Sequence, residues 1–289
     1  MMTRRSLLSL LGTGLLSSLR SAAARAFAPG ETLLTAPLEL GGSWGGSAVK
    51  DAAVVIERMR AASLGGVALL SDHQPAGLRV DDCAGSNPAI WLHTDAPTTA
   101  WIKVIVGARD WCNLAYQFGH ELGHVLCNSW EPDAAPRNPC QWLEESLVEA
   151  FSLRGLGILA DEWGRAPPFP NDRAYKASIR NYRETILVRY QAIGADQGST
   201  AGLRVWFESR EAFLMEHGGL DAATGAVPTM LGLLESDASM IADLGALNRW
   251  PGRSGLPLPD YLANWERSCA ELRSSGRLPA RLHELIVGS

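Results

Sequence analysis

The chain has 289 residues, 46% of them apolar and 20% charged, with 10 Trp and a formal charge of −5. That composition builds a substantial core and excludes wholesale disorder, a collagen-like repeat and a coiled coil. No stretch of 18 apolar residues marks a mature membrane span, and no basic cluster beyond the N-terminus points to nucleic acid.

The first 26 residues read as an export signal. Arg4 and Arg5 stand directly before a moderately apolar run, Leu7 to Leu19, and Ala24-Arg25-Ala26 offers a small-residue cleavage point. The arginine pair resembles a twin-arginine signal, with an ordinary secretory signal as the alternative. Either way the expectation is a periplasmic or secreted bacterial protein with no stable membrane anchor after signal removal. Removal takes away four arginines and no acid, leaving 263 residues with a net charge of −9. All five cysteines, Cys83, Cys112, Cys127, Cys140 and Cys269, lie in that remainder. An oxidising compartment permits disulfides, and Cys127–Cys140, which closes a short loop, is the preferred pair, with five buried thiols as the alternative.

Residues 27–44 are punctuated by Pro and Gly and read as extended. Asp51–Leu64 carries apolar residues at helical spacing. Short runs suited to strands follow at Val67–Leu70, Leu78–Val80, Ala89–His93 and Trp101–Val106. From Asp110, a candidate N-cap, the period becomes helical, with Trp111, Leu114, Phe118, Leu122 and Val125 on one stripe and an end near Asn128. A second helix is expected from Asn138 as N-cap and Pro139 at the first position, stopping at Gly155 or Gly157. The remainder reads as helical: Arg173–Ala192, Leu203–Glu216, Pro228–Ser236, Ala238–Leu247, Asp260–Leu272 and Pro279–Val287. The fold class expected is α+β, with an α/β lobe over 27–128 ending in one marked helix and a helical lobe over 129–289.

That marked helix contains His120-Glu121-Leu122-Gly123-His124. Residues i and i+4 share a helical face, so both imidazoles can meet one ion. Glu121 sits where its carboxylate reaches a water on that ion without ligating it. Three protein ligands leave zinc an open position for water, and a neighbouring carboxylate turns that water into a nucleophile. This is the HExxH pattern, with one Zn2+ per chain expected. Cys127 and Trp130 occupy the Gly and His positions of the longer HExxHxxGxxH form, which is thereby excluded. Downstream, Trp142-Leu143-Glu144-Glu145-Ser146-Leu147-Val148-Glu149 lies on the next helix, far enough on for the chain to turn back and add a carboxylate.

These residues resemble the gluzincin metallopeptidases, the group of thermolysin and the M1 aminopeptidases, whose HExxH is followed by a helix with E-x-x-x-D or W-L-N-E. The resemblance covers Asp110 to Phe151, with Glu149 in place of the last Asp and Glu144 in place of the Asn; the run Tyr116 to His124 is also similar to poorly characterised exported bacterial zincin-like proteins. It implies a zincin-like fold, Glu145 as third ligand and Glu149 as the acid that orients His120. No G-A-M-E-N-like motif accompanies it, which argues against an aminopeptidase in particular. Spacing alone also places Glu145 and Glu149 one turn apart on one face, with Glu144 about 100° away as the alternative ligand.

Candidate donors for a developing oxyanion are Tyr175, Tyr182, Tyr190 and His217, among which the sequence does not choose. The strand Ala89–His93 is a candidate edge for main-chain pairing with a peptide; a buried strand is the alternative. His73 and His93 read as surface or turn residues. The expected function is an exported zinc metallopeptidase acting on a peptide or protein, with Glu121 as general base. The alternative is a non-catalytic zinc-containing protein that binds a protein or glycan partner.

Overall fold

Four strands pair in the order β1-β2-β4-β3: β1 (Leu38–Gly42), β2 (Gly77–Asp82), β3 (Ala89–Ile90) and β4 (Thr99–Val104). β1, β2 and β4 run parallel, and β3 lies antiparallel to β4 at the edge. This is a computed structural model, and it describes residues 33–68 and 71–288. The expected export segment, residues 1–26, lies outside the described residues. The fold is α+β, with a small mixed sheet and 59% helix among the described residues.

Alternation decides which face of the sheet is covered. Leu78, Val80, Ala100, Ile102 and Val104 are fully buried toward the helices, while Arg79, Trp101 and Lys103 face outward. The parallel pair β1–β2 needs a crossover, and helix α1 (Val49–Leu64) supplies it. β1 was not foreseen as a strand, since Leu-Glu-Leu-Gly-Gly contains no β-branched or aromatic residue. The expected strand at Val67–Leu70 is absent at Val67 and Ala68, and residues 69–70 lie outside the described residues. The expected strand Ala89–His93 shrinks to Ala89–Ile90, extended by one bond from Trp91 N–H to the Trp101 carbonyl at 2.7 Å.

Helix α2 (Trp111–Leu126) follows β4 and carries the HExxH motif. The Asp110 side chain does not cap it; the Cys112 N–H of the first turn donates instead to the Tyr175 hydroxyl at 3.3 Å. α2 ends where Asn128 takes φ +64°, with Asn128 N–H donating to the Val125 carbonyl and Ser129 N–H to that of His124. This pairing is a Schellman motif, and asparagine tolerates its left-handed position.

Helix α3 (Gln141–Arg165) begins two residues after Pro139 and has Cys140, not Asn138, at its N-cap. It runs past Gly155 and Gly157, where an end was expected. Gly155 is a packing residue: an added Cβ would lie 2.3 Å from Ser63 Oγ of α1. α3 therefore continues, and it packs against α1 and α2 and, with its other contacts, against the helical half. That half comprises α4 (Lys176–Asp196), α5 (Leu203–Leu214), the short α6 (Leu220–Ala223), α7 (Val227–Ser236), α8 (Met240–Leu244), α9 (Leu258–Leu272) and α10 (Arg277–Ile286). One continuous apolar core takes in residues on both sides of the α2–α3 loop. No helix of the described residues is long and apolar enough to cross a membrane.

The expected Cys127–Cys140 disulfide is not formed, and all five cysteines are free. Cys127 and Cys140 are fully buried thiols at the facing ends of α2 and α3, and the Cys140 thiol donates to the Leu256 carbonyl at 3.2 Å. Burial pushes the Cys140 thiol up to about 12 and the Cys127 thiol well above its usual range.

Candidate metal centre

α2 is fixed to the sheet by side chains that imitate a strand. Gln117 accepts from Ile105 N–H at 2.7 Å and donates back to the Ile105 carbonyl at 3.1 Å, and Asn113 donates to the same carbonyl at 3.2 Å. The free backbone groups just beyond β4 are thereby satisfied. α3 crosses α2 closely because position 123 has no side chain: a Cβ there would sit 2.8 Å from Val148 Cβ. The helical face of α2 that bears His120 and His124 is thus brought against the face of α3 that bears Glu145.

The two imidazole rings lie 5.1 Å apart, centroid to centroid. His120 Nε2 is 3.5 Å and His124 Nε2 is 3.7 Å from one atom, Glu145 Oε2. Ligand atoms on a tetrahedral zinc, each about 2.0–2.2 Å from it, are about 3.3–3.6 Å apart. The two separations from Glu145 lie at and just beyond that range, and all three donor atoms lie within 4.8 Å of one another, a group that could hold a metal.

Both remaining ring nitrogens are held by carboxylates. His120 Nδ1 donates to Glu149 Oε2 at 2.8 Å, and His124 Nδ1 donates to Glu144 Oε1 at 2.7 Å. A carboxylate only accepts, so each Nδ1 bears the proton and each Nε2 is directed at the central point. Glu144, the alternative ligand, is thus not among the converging donors; α3 turns its carboxylate to the far edge of His124. Its second oxygen accepts from Asn248 Nδ2 at 2.7 Å, and Asn248 Oδ1 accepts from Tyr261 at 3.1 Å. Glu149 is fully buried, and its Oε1 accepts from Tyr116 at 2.7 Å and from Tyr190 at 2.9 Å. Burial, reinforced by the Glu149 charge, holds both phenols far above their ordinary range.

Burial opposes charge on the histidines, but hydrogen bonds to Glu145 and Glu149 outweigh it and lift His120 to about 10. His124 is raised likewise through Glu144 and Glu145, burial opposing. Burial also opposes charge on Glu145, yet the two imidazoles hold its carboxyl well below the usual range.

A cavity of about 210 Å³ lies beside the cluster, with Glu121, His124, Glu144 and Glu145 in its wall. Ile90 and Leu92 line it as well, which places the β3 edge along the cleft. Glu121 is buried, and burial raises its carboxyl above the ordinary value.

None of the four candidate oxyanion donors lines this cavity. Tyr175 caps α2, Tyr182 donates to Asn113 Oδ1 at 3.2 Å, Tyr190 is committed to Glu149, and His217 stacks on Phe213 at 4.2 Å. All are residues of the helical half whose hydroxyl or ring is taken up in packing. The hydroxyl on the cavity wall is that of Ser129, whose Oγ accepts from Asn248 Nδ2 at 3.1 Å. Ser129 and Asn248 escaped sequence reasoning because neither belongs to a motif; the only local signal is Asn248 as an asparagine in a loop, where it takes φ +58°.

Comparison of the chain with protein-family models, with curated proteins and with solved structures found no match, so the geometry of this cluster is what any functional reading rests on.

Proposed function

We propose that the protein is an exported zinc-dependent metallopeptidase of zincin-like fold, in which His120, His124 and Glu145 hold the metal and Glu121 is the general base. One observation carries the reading: both histidine Nε2 atoms converge on Glu145 Oε2 at 3.5 and 3.7 Å while both Nδ1 atoms are anchored by carboxylates. Soft or borderline imidazole donors with a single carboxylate suit zinc better than magnesium or calcium, which prefer all-oxygen shells. Bound zinc supplies Lewis acidity that brings the pKa of a water ligand toward neutrality.

The chain's own groups account for the rest. Glu121, with its carboxyl raised by burial, holds a proton more readily than an exposed carboxylate, which suits it to act as a base. It takes the proton from water and returns it to the leaving amine. The β3 edge lets an extended peptide pair by its main chain and pass in front of Glu121. The apolar side chains of Ile90 and Leu92 on the same wall offer contact for a peptide's side chains. Export follows from the N-terminal arginine pair and apolar run.

The test is Glu121→Gln in purified protein, with zinc content and peptide hydrolysis measured together. The expected result is zinc retained and hydrolysis reduced by about 10²–10⁴-fold, the usual loss of a general base. Undiminished hydrolysis with zinc bound would remove Glu121 from the mechanism, and a wild-type protein without stoichiometric metal would remove the mechanism itself.

A further inference from the structure

A second cavity, of about 590 Å³, opens in the helical half, where α3 and α9 begin and α5 and α10 end. Its size is that of a site for a small organic molecule. It shares no wall residue with the cleft at the metal centre. Trp142, Phe207, Leu214 and Ile286 make its wall apolar, and the Trp142 and Phe207 rings lie 5.7 Å apart at 31°. Met215 and Val287, 55% and 41% exposed, leave further apolar surface open to water at the same place. Isolated exposed apolar residues need no explanation, but two of them on the wall of one apolar cavity form a continuous unsatisfied surface.

Charge distinguishes what fits. The charged residues of the wall are Glu208 and Glu211, one helical turn apart on α5, both exposed and without an ion pair among the described residues. Of the arginines on α5, Arg204 donates to the Glu284 carbonyl at 3.2 Å, and the Arg210 guanidinium lies 4.5 Å over the Phe213 ring. Helix dipoles do not set the sign, because two helices begin at the cavity and two end there. The two carboxylates do, and the ring surface of Trp142 and Phe207 favours the same sign through its quadrupole.

We infer that this cavity binds a small organic cation with an apolar body, an amine or quaternary ammonium carried on an aliphatic or aromatic group. The apolar part fills the wall of Trp142, Leu214 and Ile286, and the cationic head lies against Glu208 and Glu211. An anion of the same shape meets two uncompensated carboxylates and is rejected.

Isothermal titration calorimetry of the full chain tests this, with octyltrimethylammonium as probe and octanoate and octyl glucoside as controls, all below their micelle thresholds. The cation is expected to saturate one site, with both controls weaker by about tenfold or more. The double variant Glu208→Gln/Glu211→Gln is expected to lower the cation's affinity about tenfold, and Met215→Arg, at an exposed wall position, to abolish binding. All three positions are exposed, and unchanged melting temperatures check that the variants fold. Absence of cation binding, equal binding of octanoate or octyl glucoside, or an unaltered affinity in the double variant overturns the inference. The readout is independent of zinc and of hydrolysis, so its failure leaves the proposed peptidase activity standing.

Discussion

At the scale of single residues, the centre is built from pairs. Each imidazole has one nitrogen aimed at Glu145 and the other donating to a buried carboxylate, and each of those carboxylates is gripped in turn: Glu149 by Tyr116 and Tyr190, Glu144 by Asn248. Such partners fix the tautomer and raise ligand basicity, and their removal costs about 10–100-fold in metal affinity. If the proposed zinc site is correct, Glu149→Ala and Glu144→Ala are each expected to weaken zinc by that factor in a chelator competition, although neither carboxylate is among the three converging donors. Equal affinity in wild type and both variants would show that the anchoring carboxylates are idle. Asn248→Ala should weaken zinc less, since it acts only through Glu144. His120, Glu121, His124, Glu145 and Glu149 could be singled out from spacing and resemblance because helical periodicity puts the two histidines on one face of α2 and Glu145 and Glu149 on one face of α3. Which histidine Glu144 meets could not, since that depends on how two helices cross.

At the scale of elements, the α2–α3 crossing decides whether those faces meet. Gly123 sits inside the motif, and its missing Cβ gives Val148 the space that close packing needs. Gly123→Ala is expected to destabilise the fold by about 1–3 kcal/mol, the usual cost of overpacking, and to weaken zinc by parting the helices. Gly232, exposed on α7 with no atom within 4 Å of an added Cβ, provides the contrast. There the same substitution should stabilise by about 0.4–1 kcal/mol, because it only restricts the unfolded chain. Denaturant unfolding of the two variants reads both signs, and destabilisation of similar size at both positions would contradict the packing argument. The misjudged helix ends have the same origin. Gly155 reads locally as a stop signal, yet Ser63 of a distant helix makes it a contact point inside α3.

At the scale of the whole molecule, an ionic seam joins the segment after α1 to the loop before α9. Arg249 pairs with Asp72 at 2.7 Å, His73 with Glu131 at 2.8 Å, and Arg253 with Glu131 at 2.7 Å. The hydrogen bond to Glu131 raises His73 despite partial burial, and the same bond lowers Glu131. A raised histidine stabilises fully below its unfolded value of 6.5, and that contribution is lost as pH rises through the folded value. A lowered carboxylate stabilises above its unfolded value of 4.5, and that contribution is lost as pH falls through the folded value. The His73–Glu131 pair therefore contributes most between these limits. The melting-temperature difference between wild type and His73→Gln should be largest between about pH 4.5 and 6.5 and shrink as pH rises beyond that. A difference independent of pH would mean that His73 acts through packing alone. The seam is screened in part by solvent, so high salt should reduce the difference as well.

Periodicity and spacing by themselves determined the α+β class, the helical character of the second half and the i, i+4 placement of the two histidines, since these depend on residues within a few turns of each other. They did not determine β1, which is a strand only because β2 lies beside it. Nor did they determine the fate of Cys127 and Cys140, whose thiols share a loop in sequence but are buried separately at the ends of two helices. The roles of Glu144, Tyr190 and Asn248 were decided by tertiary structure alone. Asn248 is 104 residues from Glu144, and no local pattern records a partner that only the closing of the chain brings within 2.7 Å.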